Sequence, residues 1–305
     1  MKAGTNLERV LEAGQFAVTA EIGPPKGGSA KVIASKGEML AHAADAFNVT
    51  DNQTAVVRMC SLSACGILKQ LGLDPVMQML CRDKNRIGLQ SDVLGAVALG
   101  IGNLLCLTGD HVKFGNHPSS KIVFDIDSVQ LIAAVKMMRD EGLFISGEEI
   151  AGPTPMFIGA VENPYADPFE FRTTRLAKKV KAGADFIQTQ AIFDVGKFAR
   201  WMKEICDRGL DEQVHILAGI IPVKAVGMAR YMRDYVSGVE IPDEMIQRLE
   251  GAKDVQEEGI QIILEIIEEV KLIPGVHGVH IQAVGWEKIV PEIVERAGLL
   301  PRPMM

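Results

Sequence analysis

Glu21 and Asp110 are the residues of this chain whose type and setting most suggest chemistry. Glu21 stands in Val18-Thr19-Ala20-Glu21-Ile22, an apolar, β-branched run cut short by Gly23-Pro24-Pro25, where proline removes the donors that sheet pairing needs. A carboxylate carried to the end of a buried strand is costly, so it needs a partner, a proton or a task. Asp110 follows the apolar stretch 104–107 and Gly109, which lets the chain turn and present the acid at a dry strand's mouth. Two carboxylates on opposite sides of one pocket acquire different pKa values, one donating a proton and the other holding a fixed negative charge. Plainer readings compete: a lysine partner or helix cap for Glu21, an N-cap or turn residue for Asp110.

Gln188 and Gln190 alternate with apolar neighbours in Phe186-Ile187-Gln188-Thr189-Gln190-Ala191, so both side chains face one side of a strand. An amide offers a donor and an acceptor together, which suits the edge of a heterocycle. Polar packing inside a barrel is the alternative, and it weighs more for Gln188 than for Gln190, which lies nearer the strand's end. A metal centre is not expected. Cys60 and Cys65 share no helix face well, and His277 and His280 fall on opposite sides of a strand. The five cysteines, Cys60, Cys65, Cys81, Cys106 and Cys206, lie in apolar segments and read as reduced thiols.

The elements that position these residues recur with a clear rhythm. Strand-like runs at 16–22, 46–50, 76–81, 103–108, 157–161, 186–191, 215–220 and 279–284 alternate with helical spacing at 31–44, 54–71, 92–100, 128–141, 168–181, 195–208 and 225–235. Two further helices are predicted at 243–251 and 254–271, and a last one at 287–297. Gly72 and Gly183 sit just past helix ends as C-caps. Eight such units in 305 residues predict an α/β fold, a single-domain (β/α)8 TIM barrel over 1–305 with extra helices near 242–272; a doubly wound open sheet is second. No Gly-x-Gly-x-x-Gly opens a helix, which argues against a Rossmann dinucleotide site. The composition, 48% hydrophobic and 23% charged with a net charge of −7, is that of a soluble globular protein and argues against nucleic-acid binding, for which a basic face is expected. Without a signal sequence or an apolar stretch of bilayer length, a cytoplasmic location is expected.

In a barrel the C-terminal strand ends face the active site. Taken as a ring, those ends carry Glu21, Thr50-Asp51-Asn52, Cys81-Arg82-Asp83, Thr108-Gly109-Asp110-His111, Glu162-Asn163-Pro164, Gln188-Thr189-Gln190, Ile221-Pro222, and Gln282 with Trp286. The ring is unusually polar for a structural role.

The segments Ala20-Glu21-Ile22-Gly23-Pro24-Pro25-Lys26, Asn48-Val49-Thr50, Leu107-Thr108-Gly109-Asp110, Ala182-Gly183-Ala184-Asp185, Thr189-Gln190 and Ala218-Gly219-Ile220-Ile221-Pro222-Val223 resemble, in order, the methylenetetrahydrofolate reductases. The resemblance implies a barrel with flavin at the strand C-termini and reduction of methylenetetrahydrofolate to methyltetrahydrofolate. It implies that Glu21 is the general acid, Asp110 the carboxylate beside the flavin ring, Gln190 the pterin-binding amide, Thr50 a flavin contact and Lys179 a residue near the flavin phosphate. Departures fall on the flavin clasp. Gln78 stands where FAD-containing members have His, Thr108 where they have Arg, and Ala160-Val161-Glu162-Asn163-Pro164 replaces a Tyr-Pro-Glu-x-His-Pro stretch. Gln78, Thr108 and Asn163 are therefore altered clasp positions, and FAD, FMN or direct hydride transfer without flavin all stay open. Arg82, Arg172 and Arg175 are candidates for a new phosphate clamp, with solvated helix faces as the alternative.

The resemblance leaves the electron donor as NAD(P)H or a partner electron-transfer subunit, and it points to a homo-oligomer without the long regulatory domain of some members. Two other classes compete: a pterin-binding methyltransferase barrel, and a non-catalytic folate-binding subunit. The joint presence of Glu21, Asp110 and Gln190 favours catalysis.

Overall fold

The computed structural model describes residues 1–236 and 238–303. Among them, eight parallel strands close into a barrel in chain order, β1 Ala17–Ile22, β2 Ala46–Val49, β3 Pro75–Leu80, β4 Asn103–Leu107, β5 Phe157–Glu162, β6 Phe186–Ala191, β7 His215–Ile220 and β8 Val276–Ile281, with β8 pairing back onto β1. Nearly every strand residue is buried, because one face meets the helices and the other fills the barrel. The (β/α)8 expectation holds.

The helices are α1 Asn6–Glu12, α2 Ala30–Leu40, α3 Ser61–Gln70, α4 Arg86–Ala98, α5 Ser128–Asp140, α6 Arg172–Ala182, α7 Val195–Asp207, α8 Val226–Tyr235, α9 Asp243–Gly251, α10 Val255–Lys271 and α11 Val290–Arg296. The ends of α5 and α6 show local sequence deciding where a helix starts and stops. Asp127 and Gln130 form a reciprocal capping box at the start of α5. At the end of α6, Gly183 takes φ +117°, a conformation that a side chain would strain.

Four differences from the sequence reading bear on the site. Helix α1 has no counterpart in that reading; its Leu7, Val10 and Leu11 pack with Ala17, Ala46, Val76, Leu105, Phe157, Phe186 and Leu217, so it plugs the barrel's N-terminal mouth. The helix expected over 54–71 begins only at Ser61, because Asn52, Thr54 and Ala55 all adopt positive φ and hold the preceding segment as a loop over the C-terminal mouth. Strand β8 starts at Val276, three residues ahead of the predicted run, because Gly278 lets the Ala17 carbonyl approach to 2.3 Å of where a Cβ would stand. Finally, α10 packs against β7 and β8 as the crossover helix of that unit, so the additions to the barrel are α8 and α9 rather than all of 242–272.

Candidate active site

Polar residues fill the barrel interior in levels above the apolar plug. Asn48 and Gln188 exchange amide hydrogen bonds at 2.6 and 3.0 Å, Gln188 also donates to the Thr19 hydroxyl at 3.1 Å, and that hydroxyl meets His280 Nδ1 at 2.8 Å. Burial pushes His280 down to about 3, so the ring is neutral. Gln188 is therefore interior packing, one of its two open readings, and this level forms the floor of the site.

Above the floor lies a cavity of about 370 Å³ at the strand C-termini. Glu21, Gln78, Gln190 and Gln282 line it from four strand ends, with Leu105, Leu107 and Val161 as an apolar wall. Burial raises the Glu21 carboxyl to about 7; a hydrogen bond from Gln78 and the charge of Lys36 oppose the shift, while Glu287 adds to it. An acid in this state holds its proton up to neutral pH and can part with it there. Gln190 is aimed by an irregularity in β6, where the register with β7 shifts between Gln188 and Ala191. Thr189 fixes that kink: its hydroxyl accepts from Gly219 N–H at 2.9 Å and donates to the Gln190 carbonyl at 2.8 Å. The sequence reading missed this role, since a threonine in a strand carries no mark of it.

The opposite end of the cavity is cationic. Arg172, Arg175 and Lys179 line it from α6, with Glu162 as the carboxylate among them. Lys179 is 3% exposed and is held by the Val161 carbonyl and by Glu162 at 2.8 Å; Arg175 approaches Glu162 at 3.8 Å. Burial lowers the Lys179 pKa, against the pull of Glu162. Arg172, 8% exposed, donates to the Pro168 carbonyl at 3.3 Å. Three cations against one carboxylate leave this end net positive, as an anion site requires. Arg172 is buried rather than part of a solvated helix face, whereas the Arg175 side chain is 47% exposed and only borders the cavity. Asn163 lines the same end, and its side-chain oxygen accepts from Tyr165 N–H at 3.0 Å.

Other expected site residues fall outside this lining. Asp110 is exposed, not dry: its carbonyl accepts from Arg82 at 3.2 Å, and the Gly109 turn at φ +96° carries its side chain to the rim. Thr108 is exposed and its hydroxyl donates to Ser128 at 3.0 Å at the start of α5. Thr50 is 2% exposed, and its buried hydroxyl has no partner among the described residues. Arg82 cannot serve as a phosphate clamp, since its guanidinium is 2% exposed and consumed by Asp83 at 2.7 Å and by the Asp110 and Asn52 carbonyls.

Comparison with known proteins bears on what such a cavity serves. The family model for methylenetetrahydrofolate reductase matches residues 6–298. The chain belongs to this family. Methylenetetrahydrofolate reductase 1 of Schizosaccharomyces pombe is 27% identical over 234 residues, which cover 75% of this chain and 36% of that protein. The 5,10-methylenetetrahydrofolate reductase of Salmonella typhimurium is 26% identical over 186 residues, 61% of this chain and 56% of that one. The chain thus matches between about a third and just over half of these relatives' lengths. Among solved structures, a Clostridium thermocellum protein described as binding two copies of 5-methyl-5,6,7,8-tetrahydrofolic acid superposes with TM-score 0.64 over 96% of this chain and 98% of its own, at 13% identity, a likeness of fold.

Proposed function

We propose that this chain reduces 5,10-methylenetetrahydrofolate to 5-methyltetrahydrofolate with a bound flavin, and that Glu21 is the general acid. The observation that carries the proposal is the buried Glu21 carboxyl, raised to about 7, at one end of a cavity whose other end is cationic. A pterin needs a proton donor and an amide to read its edge, and Glu21 at the end of β1 and Gln190 of β6 line the same cavity. Glu21 protonates the bridging nitrogen, which opens the five-membered ring to an iminium ion; Gln190 holds the pterin so that the one-carbon unit faces the hydride donor.

The residues present fit a flavin. The net-positive cluster of Arg172, Arg175 and Lys179 suits its phosphate, the wall of Leu105, Leu107 and Val161 suits its ring, and Gln78 and Asn163 offer amides between them. Thr108, exposed, and Thr50, buried, both lie outside this lining, so neither of them is proposed as a flavin contact. Asp110 is exposed and outside this lining, so its place in the proposal is only that of a solvent-screened negative charge near the mouth. When bound, reduced flavin supplies the hydride. NAD(P)H or an electron-transfer subunit is the proposed source of its electrons.

The test is the visible spectrum of the purified chain, the mass of the released cofactor and turnover of methylenetetrahydrofolate. A yellow protein that releases FMN or FAD and forms methyltetrahydrofolate is expected. A colourless protein that still turns over with a nicotinamide would replace flavin by direct hydride transfer, and a protein with no turnover would overturn the reductase reading.

A further inference from the structure

Glu21 lines two cavities. The second, of about 220 Å³, lies among the segments that follow β1, β2 and β8 and is also lined by Gly23, Lys36, Arg58, Gly285 and Glu287. Lys36, from α2, pairs with Glu287 of the segment after β8, and it donates to the Gly23 carbonyl at 3.1 Å, just beyond the end of β1. The pair therefore ties α2 and the segment after β8 to the backbone that carries Glu21. The Lys36 and Glu287 side chains are 26% and 16% exposed, so bulk solvent screens their fields only in part.

We propose that Lys36 and Glu287 form a positioning pair for Glu21, holding the end of β1 and acting on the acid's proton from the second cavity. The proposal rests on the reading of Glu21 as the general acid. The two charges act in opposite directions: Glu287 disfavours ionised Glu21 and Lys36 favours it. Burial and the Gln78 hydrogen bond set most of the proton affinity of Glu21, and among the charged groups that face it the pair supplies the adjustment. Gln78, Gln190 and Gln282 are uncharged, and His280 is neutral through burial. Arg58 faces the second cavity and donates to the Pro24 carbonyl at 3.0 Å, while Arg172, Arg175, Lys179 and Glu162 lie at the cationic end of the first. A pair of opposite charges beside one acid sets its proton affinity finely, since a small displacement of either partner changes the balance.

The sign differs between the two members. Removing the negative charge in Glu287→Gln leaves Lys36 unopposed and lowers the pH at which Glu21 ionises; Lys36→Met leaves Glu287 unopposed and raises it. The experiment follows the Glu21 carboxyl by carbon-13 NMR in the full chain labelled at glutamate, with Glu21→Gln to assign the signal, beside the pH profile of methylenetetrahydrofolate reduction. Titration of wild-type Glu21 near neutrality is expected, moving by about half a pH unit or more downward in Glu287→Gln and upward in Lys36→Met, with Lys36→Arg close to wild type. The alkaline limb of the rate profile should follow the same order. A near-neutral Glu21 that both variants leave in place, or move in the same direction, overturns the positioning pair and leaves the general acid standing. A wild-type Glu21 that titrates in the ordinary carboxylate range overturns the acid assignment itself, and this inference with it.

Discussion

Glu21→Gln separates the stability consequences of a buried carboxyl from its chemical ones. The carboxyl is raised to about 7 in the folded chain. Between the ordinary carboxylate range and that value the folded state therefore holds a proton that the unfolded state has released, and stability falls as pH rises through this window. Above it, ionised Glu21 costs folding on the order of 2 kcal/mol, discounted because the group retains some exposure to the cavity. Glutamine removes that cost, so Glu21→Gln should raise the denaturation midpoint at pH 8 and leave it nearly unchanged at pH 4.5, as denaturant titrations at the two pH values will measure. At the cationic end, Arg172→Ala with Arg175→Ala leaves Lys179 already committed to Glu162. Flavin affinity, measured by fluorescence titration, should fall about tenfold or more, the loss of about one or two charge-assisted hydrogen bonds.

At the scale of elements, strand rhythm was legible because eight apolar runs separated by turn residues allow few other folds. Less legible was whatever depends on a partner distant in sequence. The plug α1 is only seven residues long, and its Leu7, Val10 and Leu11 acquire meaning only against the barrel mouth that they close. Leu11, 2% exposed there, should cost about 2–5 kcal/mol as Leu11→Ala, read from the shift in the urea midpoint, with little change in the site at the other end of the barrel. The left-handed residues Asn52, Thr54 and Ala55 are ordinary in sequence and break a helix that periodicity favours. Glu21 and Gln190 could be singled out because they sit at or near strand ends, whereas Lys179, inside α6, came only from the family resemblance. Thr189, Lys36 and Glu287 could not, since a strand threonine and two charges on surface-like helical segments show nothing locally of the groups they contact.

For the whole molecule, the barrel gathers one cavity's worth of polar groups at a single mouth: a buried carboxyl raised to about 7 at one end, a positive cluster at the other, and a polar, neutral floor between them. This division suits the proposed reaction in two halves, in which loading of the hydride carrier and transfer to the folate share the cavity and, on the proposal, only the second takes a proton from Glu21. The most direct test compares the two half-reactions in the flavin-loaded full chain and its Glu21→Gln variant by anaerobic stopped-flow spectroscopy. Reduction by the electron donor should proceed at similar rates in both, whereas reoxidation by methylenetetrahydrofolate should slow by about 100-fold or more in the variant. Reoxidation at the wild-type rate, or equal loss of both half-reactions, would contradict the assignment of Glu21 as the acid.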